Sequence, residues 1–218
     1  MAKKPSGYLS IIGFGLIDPL LTLLETLEAA PRQPPNEVQT GRGENGYSVA
    51  IVVLAVMLLE SAINMIRYHE RCTGRMHVAK YFATICPDPE LAEAIDEVFG
   101  VRDAIVHNHV WEAQIEWVRQ QGMKFTASPT LHEGYGDGRF KNIMEPKSRC
   151  TRRLRLNLFP SRIWRRDVHI VLKTVSRALT TLETWKPAYL DMDIEMYEFQ
   201  GQELTFPEII AALPEEKL

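Results

Sequence analysis

Eleven apolar residues in succession, Val49 to Leu59, are followed by Glu60, Ser61 and Asn64, and this run limits the fold more tightly than any other stretch. It is too short to span a bilayer, which takes about 20 apolar residues. It reads as a buried central helix, from about Tyr47 to Glu70, apolar nearly all round in its first half and therefore surrounded by other elements. Each Val, Leu, Ile or Met buried on it contributes about 1.5–3 kcal/mol before chain entropy is subtracted. The expected class is mainly α: a helical bundle with this helix as its spine.

Other segments supply the covering helices. Asp18-Pro19 is a start signal, with a capping carboxylate and proline at the first helical position. Leu20, Leu21, Leu23, Leu24 and Leu27 follow as a stripe, and Gly7 to Ile17 is weaker, being interrupted by Gly13 and Gly15. Prolines 31, 34 and 35 and glycines 41, 43 and 46 mark a loop of about fifteen residues. Val78 to Ile85 reads as a short helix. Asp88-Pro89 repeats the start signal, with Leu91, Ile95 and Val98 at helical spacing and Gly100 as the expected stop. The helix from about Arg162 to Trp185 carries the stripe Val168, Val171, Leu172, Val175, Leu179 and Leu182, and should close the bundle.

Between these helices the period changes from 3.6 to 2. Trp111, Ala113, Ile115 and Trp117 alternate with polar neighbours, Gln121-Gly122 can turn the chain, and Met123, Phe125 and Ala127 alternate again. A further strand is expected over Arg152 to Phe159. The tail predicts a second hairpin around Gln200-Gly201, then a short helix opened by Pro207. One domain over 1–218 suffices, with a β addition at about 110–160 and the small hairpin-plus-helix unit at 190–218.

The chemistry sits in Val101 to Glu112, V-R-D-A-I-V-H-N-H-V-W-E. Arg102 carries a permanent planar cation that grips phosphate through a fork of N–H donors. His107 is the side-chain type that exchanges protons nearest neutral pH. Beside a phosphodiester the pair can cleave RNA without a metal. Arg71 with His77 and Arg162 with His169 have related spacings; Arg102 differs in following an apolar helix and preceding Asp103. Gly100 and Asp103 together predict that Arg102 lies at the entrance of a new helix carrying His107, where backbone N–H groups would also face a phosphate. The alternative is an ordinary helical His107, with Arg102 paired to Asp96 or Glu97.

The order Arg-Asp-x-x-x-His resembles the motif of the HEPN superfamily, in which arginine and histidine stand four to six residues apart. His107 fits with four intervening residues and His109 with six. The resemblance implies a HEPN-like helical bundle, frequently a homodimer, whose paired motifs form a metal-independent endoribonuclease. Many members act as toxins or defence effectors, sometimes with an antitoxin protein as partner. Arg102 would bind the phosphate, His107 would move the proton, and Asp103 would orient the helix start and the arginine. Glu60 and Asn64, four apart and so on one helical face, and His109 would stand behind them. Glu60 and Asn64 have the plainer alternative of facing solvent or a neighbouring helix. The competing function is a catalytically silent HEPN-like module that binds RNA, a nucleotide or a protein.

Charge supplies the RNA expectation. The net charge is only −3, yet from Arg139 to Arg166 ten basic residues face Glu145 alone, whereas nine acidic residues lie between Glu183 and Leu218. Arg149, Arg152, Arg153, Arg155, Arg162, Arg165 and Arg166, with Phe159 and Trp164 among them, read as a groove for an RNA backbone. Docking on the acidic tail is the competing reading. His69, Cys72, His77 and Cys86 match no zinc spacing, and neither a phosphate-binding glycine loop nor a Gly-x-Ser-x-Gly elbow occurs, so no metal and no cofactor are expected. Three cysteines without framework spacing suit a reduced, cytoplasmic protein. Lys3 and Lys4 ahead of an apolar run imitate an export signal, but Asp18, Glu25 and Glu28 interrupt it, and no membrane partner is expected.

Overall fold

A computed structural model describes residues 14–32, 43–72, 74–107, 111–119, 122–126, 130–131, 138–187 and 195–215. The described chain is mainly helical. After a 3₁₀ turn at Phe14–Leu16 come α1 (Ile17–Ala29), α2 (Glu44–His69), α3 (Val78–Ile85) and α4 (Pro89–Val106). Four short strands follow: β1 (Trp111–Glu112), β2 (Ile115–Val118), β3 (Gly122–Phe125) and β4 (Thr130–Leu131). The chain continues through α5 (Gly138–Ile143), a 3₁₀ turn at Pro160–Arg162, α6 (Arg165–Trp185), β5 (Met196–Phe199), β6 (Gln202–Thr205) and α7 (Phe206–Ala212).

The apolar run forms the spine. Helix α2 packs chiefly on α6 and α1, and also on α4. Ile51, Val52, Ala55, Val56, Leu58, Leu59 and Ile63 are buried along it. By length and composition α2 would also suffice to cross a membrane; here half of its most apolar window is buried inside the bundle. The stripe of α6 is buried as its spacing predicts, from Val168 to Leu182.

Polar side chains lock the helix ends together. Asn45 donates to the carbonyls of Pro160 and Ile163, both at 2.8 Å, and Glu44 accepts the Arg165 backbone N–H at 3.0 Å, so the start of α2 holds the start of α6. Arg165 in turn caps the C-terminus of α1, donating to the carbonyls of Leu27 and Ala30. Beneath it, buried His169 lies 2.7 Å from Glu28.

The strands form antiparallel pairs. Ile115 faces Phe125 and Trp117 faces Met123 across β2 and β3, as the alternation predicts, while β1 pairs with β4. In the tail, β5 and β6 pair about Gln200 and Gly201, which both take positive φ, at 51° and 75°. Two successive left-handed residues suit the twist of a tight hairpin.

Three expectations need correction. Asp18 does not cap α1: the preceding 3₁₀ turn extends the helix to Ile17, leaving Asp18 in the first turn. Asp88 does cap α4, accepting from Glu90 N and Leu91 N. Secondly, Gly100 does not end α4. A Cβ there would lie 2.0 Å from Cδ1 of Ile143, so the glycine answers to the close approach of α5, and the helix runs on to Val106. Thirdly, no strand spans 152–159; within that segment only Asn157 makes a bridge, an isolated one with Cys150. The segment's backbone donors go to buried side-chain oxygens instead. Glu97 accepts from Arg153 N and Leu154 N, each at 2.8 Å, and Thr151 Oγ1 accepts from Leu156 N at 3.1 Å. Leu156 and Leu158 are still buried, so the apolar pattern was obeyed without a ladder.

Candidate functional site

Because α4 continues, Arg102 and Asp103 lie in its final turns, and His107 occupies the C-terminal cap position with its N–H on Asp103 O at 2.9 Å. The expected phosphate cradle of open backbone N–H groups is therefore absent at Arg102. A helix C-terminus carries partial negative charge, which favours a cation such as Arg102 rather than an anion.

The side chains nevertheless gather. Arg102 Nη2 lies 3.3 Å from Glu60 Oε2 on α2, and its Nε lies 3.1 Å from Asp103 Oδ1. The Nε contact is an ion pair without hydrogen-bond alignment. Asp103 Oδ1 also lies 3.8 Å from His107 Nε2, one helical turn on. Asp103 thus stands between the two motif residues. The Arg102 guanidinium rests over the Phe99 ring at 5.5 Å, a cation–π contact that helps fix its plane. Burial grades outward: the Arg102 side chain is 17% exposed, Glu60 31% and His107 65%. Arg102 is paired with Glu60 and Asp103 rather than with Asp96 or Glu97.

Asn64 is exposed and accepts from Arg67 Nη1 at 3.4 Å rather than meeting Arg102. His109 lies outside the described residues. Of the two rival spacings, Arg162–His169 is disqualified as an exposed pair, since His169 is fully buried against Glu28.

The basic segment is not a purely cationic groove: exposed Arg152 and Arg153 line a cleft of about 560 Å³, but they share it with Glu93, Asp96 and Glu97. Arg165, 6% exposed, is a structural cap and leaves the RNA-binding set. Arg153 reaches Glu93 at 2.5 Å and Glu90 at 3.6 Å, so it docks on α4, not on the acidic tail. Arg166 donates to Arg155 O at 3.1 Å and lies 3.5 Å from Asp167. Arg152 donates from Nε to Met144 O, and burial lowers the Arg162 pKa. Arg149 and Arg155, both partly buried, hold positive φ values of 60° and 56°. Glu145 faces this corner, and the N–H groups of Ser148 and Lys147 hold its carboxyl down at about 2. Arginines here mostly organise an irregular loop, because a chain lacking a strand ladder must satisfy its carbonyls with side-chain donors.

Two neighbours of Arg102 escaped sequence reading. Phe99 precedes it by three residues, a spacing visible once α4 is taken as continuous. His77 stacks edge-on against Phe99, with centroids 5.7 Å apart, and has no local signal because the start of α3 carries it there. Among the described residues no group of His, Cys, Asp and Glu is placed to hold a metal ion. No protein-family model matches the chain, and neither a curated protein nor a solved structure matches it.

Proposed function

We propose that the chain is a metal-independent endoribonuclease of HEPN type, working through Arg102 and His107. The observation carrying this reading is Asp103 in contact with both, on an exposed helix end. A general base oriented by a carboxylate, beside a cation for the phosphate, is the minimum for transferring the 2′-hydroxyl onto phosphorus. In the forward step the 2′-oxygen bonds to phosphorus while its proton passes to a base, and the 5′-oxygen leaves with a proton from an acid. His107 serves in one of these roles. Glu60 and Asp103 hold Nη2 and Nε of Arg102, leaving the Nη1 edge to meet a phosphate oxygen.

The test is direct. Purified protein should cleave single-stranded RNA in excess chelator and leave 2′,3′-cyclic phosphate ends, while DNA of the same sequence stays intact. Cleavage that stops on chelation, or equal cleavage of DNA, would sink the reading.

A second reading has one observation in its favour. Two carboxylates surround a single guanidinium, so a phosphate must compete with both, which suits a silent module that binds through neighbouring surface instead. The chelator experiment separates the two.

The working unit is proposed to be a homodimer joining two motifs. Val106, beside His107, is half exposed, and Ile115 and Trp117, the latter 73% exposed, share one face of the β2–β3 hairpin. A two-fold contact over these residues would cover apolar surface and bring the motif ends together. Light scattering should give twice the chain mass of 24.9 kDa. A monomer at working concentration, with and without RNA, would remove the composite site.

A further inference from the structure

With much of the 139–166 cluster engaged in the fold, exposed positive charge is found instead at the corner where α2 ends. One face of α2 and one chain of ring contacts run from Arg102 toward it. Along α2, Glu60 is followed at helical spacing by Asn64 and Arg67, and the helical rise puts Arg67 about 10 Å from Glu60. Arg67 bonds Asn64, donates to Gly74 O at 2.7 Å and covers the Tyr81 ring at 5.3 Å. Across α4, Phe99 is shared between Arg102 and His77.

This corner is basic and open. Between Arg67 and His77 the one acidic residue is Glu70, and Lys186 pairs with it. Arg67, Tyr68, His69, Arg71 and Cys72 line a cleft of about 520 Å³. Tyr68 is 67% exposed, and Arg71 and Arg75 are exposed, with no carboxylate partner among the described residues.

Arg71 also holds an unusual backbone. Its N–H bonds Tyr68 O at 3.0 Å, the Cys72 N–H bonds Arg67 O at 2.9 Å, and its φ is 54°. That is the paired-bond ending of a helix in which the left-handed residue is normally glycine. A side chain at such a position carries a local cost that glycine would avoid.

We infer that this corner is the track that holds single-stranded RNA leading to Arg102 and His107. Arg71 and Arg75 neutralise phosphates, and Tyr68 offers a ring on which a base stacks. The inference rests on the ribonuclease reading and extends it to where substrate is held.

The experiment measures fluorescence anisotropy of a labelled single-stranded oligoribonucleotide of about 12 nucleotides. It uses the full chain in a His107→Ala background so that the probe survives, across a salt series. Adding Arg71→Gly and Arg75→Ala should weaken binding roughly tenfold or more at about 0.1 M salt, and reduce the slope of log K against log salt by about 1.4. The melting temperature should hold or rise, because glycine relaxes the left-handed position, so lost binding is not lost folding. Arg75→Ala alone should give about half the slope change. Tyr68→Ala should lower affinity with the slope unchanged. Arg152→Ala with Arg155→Ala should do little. A parent that fails to bind, or Arg71 and Arg75 variants that bind as the parent does, would overturn the inference. Failure of cleavage with this binding map intact strikes only the ribonuclease reading; intact cleavage with insensitive binding strikes only the track.

Discussion

Replacing His107 with alanine should slow RNA cleavage by about 10²–10⁴-fold while leaving RNA affinity nearly unchanged. The imidazole is exposed and touches only Asp103 among the ion pairs seen, while the cap of α4 is made by the His107 backbone N–H, so removing the side chain disturbs neither core nor helix. What disappears is proton transfer, a contribution made in the transition state. Arg102→Ala should damage binding and rate together, since the guanidinium meets the phosphate before and during reaction. It also strips the partner from Glu60 and uncovers Phe99, so its loss of activity must be read beside a melting curve. Asp103→Asn separates orientation from charge: it keeps a polar group beside Arg102 and His107 but removes the carboxylate that pairs with Arg102, and its rate should fall. Undiminished cleavage in His107→Ala would remove the histidine from the mechanism.

The second large effect belongs to stability. Asp167 is fully buried in the first turn of α6, accepting from Asn157 N at 3.2 Å, Asn157 Nδ2 at 2.9 Å and Trp164 N at 3.2 Å. Asp167→Ala leaves these donors without an acceptor and should cost about 3–5 kcal/mol at neutral pH. For a chain of this size that is a fall in melting temperature of roughly 10 °C.

The size of that loss should vary with pH. Burial outweighs the hydrogen bonds and pushes the Asp167 carboxyl up to about 6. In the unfolded chain an Asp carboxyl titrates near about 3.9. Between about pH 4 and 6 the native state therefore holds a proton that the unfolded state has released, and stability falls as pH rises through that window. The contribution is complete below about pH 4 and gone above about pH 6. The gap between wild type and Asp167→Ala should accordingly be wider at pH 4 than at pH 7, by on the order of 3 kcal/mol. Urea denaturation at both pH values measures it, and a gap that stays constant or narrows on acidification would place the Asp167 carboxyl at or below its ordinary range.

Local periodicity determined much of this protein by itself. The run Val49–Leu59 dictated a central helix, the Val168–Leu182 stripe dictated the helix laid against it, and Gln200-Gly201 dictated a hairpin. Each follows from near-neighbour geometry, where spacing alone decides which side chains share a face. The candidate site was legible only as a composition: Arg102, Asp103 and His107 sit within one short stretch, and their mutual contacts need little beyond a helical turn.

The tertiary structure decided the rest. Gly100 reads as a helix stop in sequence and is a contact point for Ile143, because only the packed α5 shows what fills the space a side chain would take. Arg152 to Phe159 has strand-like alternation, yet its backbone donors find Glu97, which lies 56 residues from Arg153 along the chain. Arg165, indistinguishable by sequence from its basic neighbours, is buried at the end of α1. Hydrogen-bonding groups can be satisfied by any partner that folding brings close, so their destinations depend on long-range closure of the chain and not on local pattern. For that reason much of the basic segment belongs to the fold, while Arg71 and Arg75, just past the end of the spine helix, stay exposed.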